Sequence, residues 1–362
     1  MASARARLTF LCVQDFANVS TEIAHALRAH SERWDARVLA FTPHAFGYAR
    51  KHDWDLVTAT PEEKLAAEEH LMGSSVVVWA EEAGHIGDPL SAYAEAMNGP
   101  AGLLMVNRGA RRYTFHAGVA YRAHSERYNT LDGQIFHGQL CSPDLVRLGP
   151  RARTVWGKPM EVDLEEVDRL WKARRAHGKI VVTHSPSNLA LKGTEMIRKV
   201  MANVMSACPA VEYRELGGPA GQHLSNEELM QQRAGAVLHI DQYHVGIGGA
   251  GIASYEALAR GTLSLASMNK TSRLAYQHWG FTPETCPIIP LLFDKMERAN
   301  ERQTERALTA LLTKLGKTSL DELEARGRAA AQWTQDHLSA APFVKSWEAQ
   351  LDAIDGAAKR AA

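Results

Sequence analysis

The sequence contains little cysteine and no long hydrophobic run. Its four cysteines are Cys12, Cys141, Cys208 and Cys286, and no two of them form a C-x-x-C pair. This spacing predicts buried thiols in a reducing compartment and disfavours a disulfide framework or a zinc site. No stretch approaches the roughly 20 apolar residues that span a bilayer, and the apolar run near the N-terminus is shorter than the core of a signal peptide.

The sequence also lacks an excess of either charge. It contains 41 basic and 41 acidic side chains, so no global field attracts nucleic acid to it. DNA is therefore a disfavoured partner, even though the stretch NRGARRYTFHAGVAYR is locally basic. We expect a cytoplasmic protein without a transmembrane segment, with peripheral attachment to a membrane as the alternative.

Short β-branched runs alternate with helical patterns along most of the chain, as in parallel α/β proteins. Strand-like runs cover residues 7–13, 74–80 and 101–107, and a second series begins at residues 179–187. These runs predict doubly wound sheets. The first helix is expected directly after the first strand, with Ser20 as its N-cap.

The length of the chain bears on its domain organisation. A chain of 362 residues exceeds the usual size of one hydrophobic core. A stretch rich in proline and glycine, followed by acidic residues, separates the two strand series. We therefore predict a first domain at 1–160, a second at 161–340 and a last helix at 341–362 that returns to the first domain.

The stretch GIGGAG, residues 246–251, matches the G-x-G-x-x-G spacing of dinucleotide-binding loops. The match is poor, because four residues separate the preceding strand-like run from the first glycine and no acidic residue ends the next run. A dehydrogenase is therefore disfavoured. The glycines either form a purely structural turn or, together with Asp241, Gln242, Ser254 and Glu256, bind a phosphate at the start of a helix.

Four stretches carry a resemblance to a known family. They are HSPSNLALKGTEMI at 184–197, GGAGIASYEALARG at 248–261, YTFHAGVAYR at 113–122 and LCSPDLV at 140–146. Their order and separation resemble those of retaining GT-B glycosyltransferases of the family 4 type. The resemblance implies an α/β fold of GT-B architecture: two Rossmann-like, doubly wound parallel-sheet domains facing a central cleft, with a mostly helical C-terminal tail.

The same resemblance implies a function. The protein would move a sugar from a nucleotide diphosphate sugar to an acceptor hydroxyl with retention of configuration, using no metal and no cofactor besides the donor. The acceptor could be a glycan, a lipid-linked glycan or another hydroxyl. Two alternatives stay open: another GT-B enzyme acting on nucleotide sugars, such as an epimerase, and a nucleotide-sugar-binding protein without catalysis.

The resemblance also assigns roles to individual residues. Lys192 and His116 are the expected catalytic residues: Lys192 would hold the diphosphate and His116 would position the donor sugar or the acceptor. Glu256 would accept hydrogen bonds from the ribose. The remaining residues expected to bind the donor are His184, Ser185, Ser187, Asp241, Gln242, Gly248, Gly249, Ala250 and Gly251. Helix capping by Ser187 is an alternative to its role at the site.

In two places the sequence departs from the family pattern. The family usually has a glutamate where this chain has Gly248, so backbone N–H groups of the glycine turn would hold the sugar instead. The family often has an arginine shortly before the lysine, where this chain offers only Asn188. A second cation is therefore expected from elsewhere in the chain.

On the acceptor side we expect Asp15 and Asn18, which follow the first strand, and Arg122. A metal site formed by Glu81, Glu82, His85 and Asp88 is an alternative to solvated loop acids, and we predict no metal.

Overall fold

The computed structural model describes residues 5–42, 48–80, 109–116, 118–132, 136–217, 224–243, 248–268, 270–278, 286–291 and 301–361. The chain divides into two compact units. The first unit contains Met1–Pro159 and Ala340–Ala362, and the second contains Met160–Ser339. The strand-like run at 101–107 lies outside the described residues.

The described residues form twelve strands and twelve α-helices. The strands are β1 Ala6–Gln14, β2 Trp34–Thr42, β3 Trp54–Asp55, β4 Ser74–Ala80, β5 Arg111–His116, β6 Gly138–Cys141, β7 Arg153–Thr154, β8 Ile180–His184, β9 Val211–Glu215, β10 Leu238–Gln242, β11 Leu263–Ala266 and β12 Ile288–Pro290. The helices are α1 Val19–His30, α2 Pro61–Met72, α3 Val119–Leu131, α4 Leu164–His177, α5 Leu189–Lys192, α6 Thr194–Ala207, α7 Asn226–Ala234, α8 Ile252–Ala259, α9 Lys270–His278, α10 Glu301–Gly316, α11 Leu320–Leu338 and α12 Ala340–Ala361.

The first unit contains a seven-stranded parallel sheet in the order β3-β2-β1-β4-β5-β6-β7. The last helix of the chain, α12, packs on this sheet. Its buried Trp347 contacts Phe10 of β1 and Phe115 of β5, each with ring centroids 5.6 Å apart. The C-terminal residues therefore complete the core of the N-terminal sheet.

The N-terminus of α1, the helix that follows β1, lies at a different residue from the predicted one. Ser20 is wrong as the N-cap, because α1 already begins at Val19. The backbone N–H groups of Ser20 and Thr21 instead donate to the buried Asp15 carboxylate, at 2.7 and 2.9 Å. Ala17 and Asn18 reach this arrangement with left-handed backbone angles, φ 54° and 57°.

The second unit contains a five-stranded parallel sheet in the order β12-β11-β10-β8-β9. β8 is followed in the chain by β9 on one side, and β10 then lies on its other side. The winding direction therefore reverses between β8 and β10. In open parallel sheets, ligands bind beyond the carboxyl ends of the two strands at such a reversal.

Candidate functional site

The segments that leave β8 and β10 are joined by backbone contacts. β8 leads to the short helix α5, in which Asn188 caps the first turn through a 2.9 Å bond from the Leu191 N–H. Asn188 is thus the N-cap, and Ser187 is exposed. Gly193 ends this helix with φ 66°, and the Tyr243 N–H donates to the Lys192 carbonyl at 2.9 Å. This places Lys192 beside the end of β10.

Lys192 contacts two side chains at the end of β10. Its Nζ donates to Asp241 Oδ1 at 2.7 Å and to Gln242 Oε1 at 3.1 Å. The Lys192 side chain is 18% exposed, whereas that of Asp241 is buried. An ammonium has three donors, so two of them are used by these contacts.

Asp241 also contacts the glycine turn. Its Oδ2 accepts hydrogen bonds from the Gly251 N–H at 2.6 Å and from Ser254 Oγ at 2.9 Å. Burial acts to raise the pKa of Asp241, but the Lys192 charge and these hydrogen bonds outweigh it and lower the pKa. Asp241 is therefore an anion that links Lys192 to the N-terminus of α8.

Neighbouring side chains hold the glycine turn in place. Gln242 Nε2 donates to the Gly249 carbonyl, and Ser272 Oγ donates to the Gly248 carbonyl. Of the expected turn residues, Gly248, Gly249, Ala250 and Gly251 are described. Gly246 lies outside the described residues. The Gly251 N–H, which we expected to hold the donor, is bonded to Asp241 instead.

Glu256 lies further along α8 and pairs with a cation that the sequence analysis did not identify. Arg233 Nη1 donates to Glu256 Oε2 at 2.8 Å, and Arg233 Nη2 donates to Ser185 Oγ. Arg233 is 4% exposed and Glu256 is 9% exposed. The chain thus brings Ser185 and Glu256 together through a buried guanidinium.

His184 has its two ring nitrogens occupied by the fold. Nδ1 donates to the Ile240 carbonyl at 2.7 Å, and Nε2 accepts from Thr194 Oγ1 at 2.9 Å. Burial lowers the pKa of His184 to about 4, so the ring is neutral at pH 7. These contacts tie β8 to β10 and to the first residue of α6, which is a structural role.

His116, expected to be catalytic, is the last residue of β5 in the first unit. Its ring stacks on Tyr121 with centroids 4.0 Å apart and meets Tyr128 edge-on at 4.5 Å. Among the described residues, neither ring nitrogen finds a hydrogen-bond partner. Burial lowers the pKa of His116 to about 3. The ring is therefore neutral at pH 7, with an unused donor and an unused acceptor.

The expected acceptor-side residues also lie in the first unit. Asp15 is buried and caps α1 as described above, whereas Asn18 lines a cavity of about 250 Å³ whose other lining residues are Tyr48, Arg50, Lys51, His52, Asp55 and Thr58. The Asn18 amide donates to Glu22 Oε1 and to the Arg50 carbonyl, both at 3.2 Å. Arg122 pairs with Asp144.

Two further expectations concern metals and membranes. Glu81, Glu82, His85 and Asp88 lie outside the described residues. In the part of the chain that the structure describes, no three or more His, Cys, Asp or Glu side chains cluster in a way that could hold a metal ion. Within the same ranges, none of the helices is both long enough and apolar enough to cross a bilayer.

Comparison with known proteins identifies the architecture. Neither a protein-family model nor a curated protein sequence matches the chain. Anabaena HepE in complex with UDP and glucose superposes with a TM-score of 0.57 at 9% identity, over 96% of this chain and 100% of that one. The same protein with UDP-glucose gives 0.54 at 10% identity, over 96% and 99%.

A further similar structure is the N-terminal domain of Candida albicans trehalose-6-phosphate phosphatase. It superposes with a TM-score of 0.55 at 10% identity, over 97% of each chain. These likenesses concern the fold. Together with the two doubly wound parallel sheets, they establish that the chain has the GT-B fold.

Proposed function

We propose that this protein is a glycosyltransferase that moves a sugar from a nucleoside diphosphate sugar to an acceptor hydroxyl. The observation that carries the proposal is the position of Lys192 at the reversal between β8 and β10. Its ammonium lies beside Asp241, whose carboxylate also bonds Gly251 at the start of α8. A cation and a helix N-terminus together favour an anion such as a diphosphate.

The chemistry follows from this arrangement. Cleaving the bond between the sugar and the diphosphate builds negative charge on the leaving oxygen, and a fixed ammonium stabilises that charge. Asp241 and Gln242 use two donors of Lys192 and fix its direction, and its remaining donor would contact the diphosphate. The lysine would then be oriented before the donor binds, so little reorganisation accompanies the reaction.

The stereochemistry of the transfer, its independence of metal ions and the identity of the donor are proposed from the family resemblance. We propose transfer with retention of configuration and without a metal ion, with Lys192 neutralising the leaving group in place of one. UDP-glucose is the first donor to test, because HepE, which shares the fold, is seen with UDP and with UDP-glucose. For His116, the resemblance alone supports a role in positioning the sugar or the acceptor, since both of its ring nitrogens are buried beside Tyr121 and Tyr128.

The first experiment is a thermal-shift screen of the protein with UDP, GDP, ADP, CMP, NAD and their common sugar conjugates. A ligand at a hundredfold excess over its dissociation constant raises the free energy of unfolding by about 2.7 kcal/mol. We expect a shift with one nucleoside diphosphate and its sugar conjugate, and we expect Lys192→Ala to abolish it. Lys199→Ala is the matched control, because Lys199 is an exposed lysine on α6 paired with Glu301.

Two outcomes, one of this screen and one of an activity assay with the donor, would contradict the proposal. A shift with NAD alone would return the glycine turn to the dinucleotide-binding class. Conversion of the nucleotide sugar to its epimer, with no nucleoside diphosphate released, would favour the epimerase alternative. Once a donor is identified, NMR of the anomeric proton tests retention, and unchanged activity in EDTA is the result expected for a metal-independent enzyme.

A further inference from the structure

The N-terminus of α8 receives a carboxylate from another element. Gly251 is the N-cap residue of this helix and has no side chain with which to cap it. Asp241, ten positions earlier, supplies an anion instead: its Oδ2 accepts from the Gly251 N–H at 2.6 Å and from Ser254 Oγ at 2.9 Å. The protein therefore places one of its own anions at a helix terminus that attracts anions.

The same carboxylate lies against the cation of the site. Asp241 Oδ1 accepts from Lys192 Nζ at 2.7 Å. A Cβ added at Gly251 would lie 3.0 Å from Asp241 Oδ2 and 3.4 Å from Lys192 Nζ, so the ammonium, the carboxylate and the helix terminus meet at one point. Burial acts to raise the pKa of Asp241, but the Lys192 charge and the hydrogen bonds lower it. The carboxylate is therefore ionised and offsets the Lys192 charge.

The start of α8 is nevertheless accessible to a ligand. Residues 251–253 are half-buried, and the Lys192 side chain is 18% exposed, whereas that of Asp241 is 1% exposed. Asp241 and Gln242 use two of the three donors of the ammonium. A phosphate that bonds the third donor of Lys192 thus has the Asp241 carboxylate as a neighbour.

This neighbour has an electrostatic consequence for a bound phosphate. The donors of an ammonium are arranged tetrahedrally, so two acceptors that each lie about 2.8 Å from it are about 4.5 Å apart. Like charges at this separation repel each other strongly inside a protein. A terminal phosphate also takes a second negative charge, with a pKa of about 6, whereas a phosphate bonded to a sugar does not. The repulsion is therefore larger for a free nucleoside diphosphate than for its sugar conjugate.

We propose that Asp241 is an internal anion that weakens binding of the nucleoside diphosphate and thereby favours its release after sugar transfer. The inference rests on the proposed function and deepens it. It also reverses the role expected for Asp241, from a residue that binds the donor to one that competes with its diphosphate. The carboxylate occupies the helix N–H and offsets the cation, while the uncharged Gln242 also holds the Lys192 ammonium in place.

The test is Asp241→Asn, which has nearly the same shape and no charge. Its Oδ1 can still accept from Lys192, whereas the Gly251 N–H loses its charged acceptor. Isothermal titration calorimetry at pH 8 measures the affinity for UDP, GDP and ADP, for UDP-glucose, GDP-mannose and ADP-glucose, and for the three nucleosides. We expect the variant to bind one nucleoside diphosphate about tenfold more tightly than the wild type does. Its sugar conjugate should gain less, and its nucleoside should gain nothing.

Asp321→Asn is the matched control. It removes the same charge from an exposed aspartate of α11 that pairs with Arg175. Arg175 lies on α4 shortly before β8 begins, so this pair is near the amino end of β8, whereas the site lies beyond its carboxyl end. The control should change none of these affinities.

A second variant keeps the test decisive if Asp241→Asn does not fold. Asp241→Ala leaves room for a small carboxylate and is prepared in formate. Formate is expected to stabilise this variant and to weaken its binding of the nucleoside diphosphate, compared with sodium chloride at the same ionic strength. It should do neither to the wild type. Formate that stabilises the variant and leaves its affinity for the nucleoside diphosphate unchanged overturns the inference.

The outcomes separate the inference from the proposed function. A folded Asp241→Asn protein that binds the nucleoside diphosphate no more tightly than the wild type overturns the inference, and Asp241 then only orients Lys192. A gain no larger for the nucleoside diphosphate than for its sugar conjugate or its nucleoside overturns it as well. If neither the wild type nor the variant binds any of the nucleoside diphosphates or their sugar conjugates, the proposed function fails, and the inference with it.

Discussion

Glycine is required at the residue that follows Lys192. Gly193 has φ 66°, and a Cβ added there would lie 1.7 Å from the Tyr243 carbonyl oxygen. That oxygen belongs to the backbone directly after β10, so it cannot move aside as a flexible side chain can. The close approach of the two segments is what brings the Lys192 ammonium to Asp241.

We therefore expect Gly193→Ala to lower both the stability of the protein and its affinity for a nucleotide. Gly178 provides a matched control, since it has φ 72° and no atom within 4 Å of an added Cβ. Gly178→Ala carries only the left-handed backbone penalty, about 1–2 kcal/mol. Gly193→Ala should destabilise the protein by clearly more than this in urea unfolding and should also weaken nucleotide binding. Equal losses in the two variants would show that the contact with Tyr243 is unimportant.

Asp241 makes stability depend on pH. Its pKa is lowered in the folded state because the Lys192 charge and the hydrogen bonds outweigh its burial. A lowered pKa contributes stability above the unfolded value of about 3.9, and this contribution is lost as pH falls towards the folded value.

The resulting prediction concerns Asp241→Asn. The variant should be less stable than the wild type at pH 7, and the difference should shrink when the pH falls below about 4. Urea unfolding of both proteins at pH 7 and pH 3 measures it. A difference that stays constant between the two pH values would mean that the Asp241 charge is not what stabilises the folded state.

At the scale of elements, α12 stabilises a sheet formed by residues far away in the chain. Trp347 packs on Phe10 and Phe115, and Ser31 Oγ donates to Glu348 at 2.7 Å. The last helix therefore anchors on β1, β5 and the end of α1. Its apolar face is complementary to the sheet surface of the first unit.

Truncation of Trp347 tests this anchoring. Trp347→Ala removes a buried indole, and the expected loss is about 3–5 kcal/mol in the free energy of unfolding. Met205→Ala, on an exposed part of α6, is the control and should change stability by less than about 0.5 kcal/mol. Chemical denaturation followed by circular dichroism measures both. A loss as small as that of the control would contradict the role of α12 in the core.

Several elements could be predicted because their signals are local. The predicted strand at 7–13 corresponds to β1 Ala6–Gln14, and the run at 74–80 is β4. Alternating β-branched runs and helical patterns need no distant contact to be recognised. The cap of α1 could not be predicted in this way, because Asp15 reaches past the intervening residues Phe16–Asn18, two of which have left-handed backbone angles.

At the scale of the whole molecule, strand order decides which residues meet. The order β12-β11-β10-β8-β9 places the ends of β8 and β10 side by side, although their residues are far apart in sequence. His184 of β8 bonds Ile240 of β10, which is 56 positions further along the chain. Parallel strands need long crossover connections, so such neighbours are always distant in the chain. The site is therefore a product of topology.

The sequence by itself determined the α/β class, the GT-B resemblance and the lysine–glycine pair before α6, because these depend on local pattern and spacing. Only the tertiary structure decided that Asp241 bonds the N-terminus of α8 and that Arg233 pairs with Glu256. Arg233 lies in the polar stretch NEELMQQRA, which is typical of a solvated helix. Its burial depends on where the sheet places α7 and α8, and no local pattern encodes that placement.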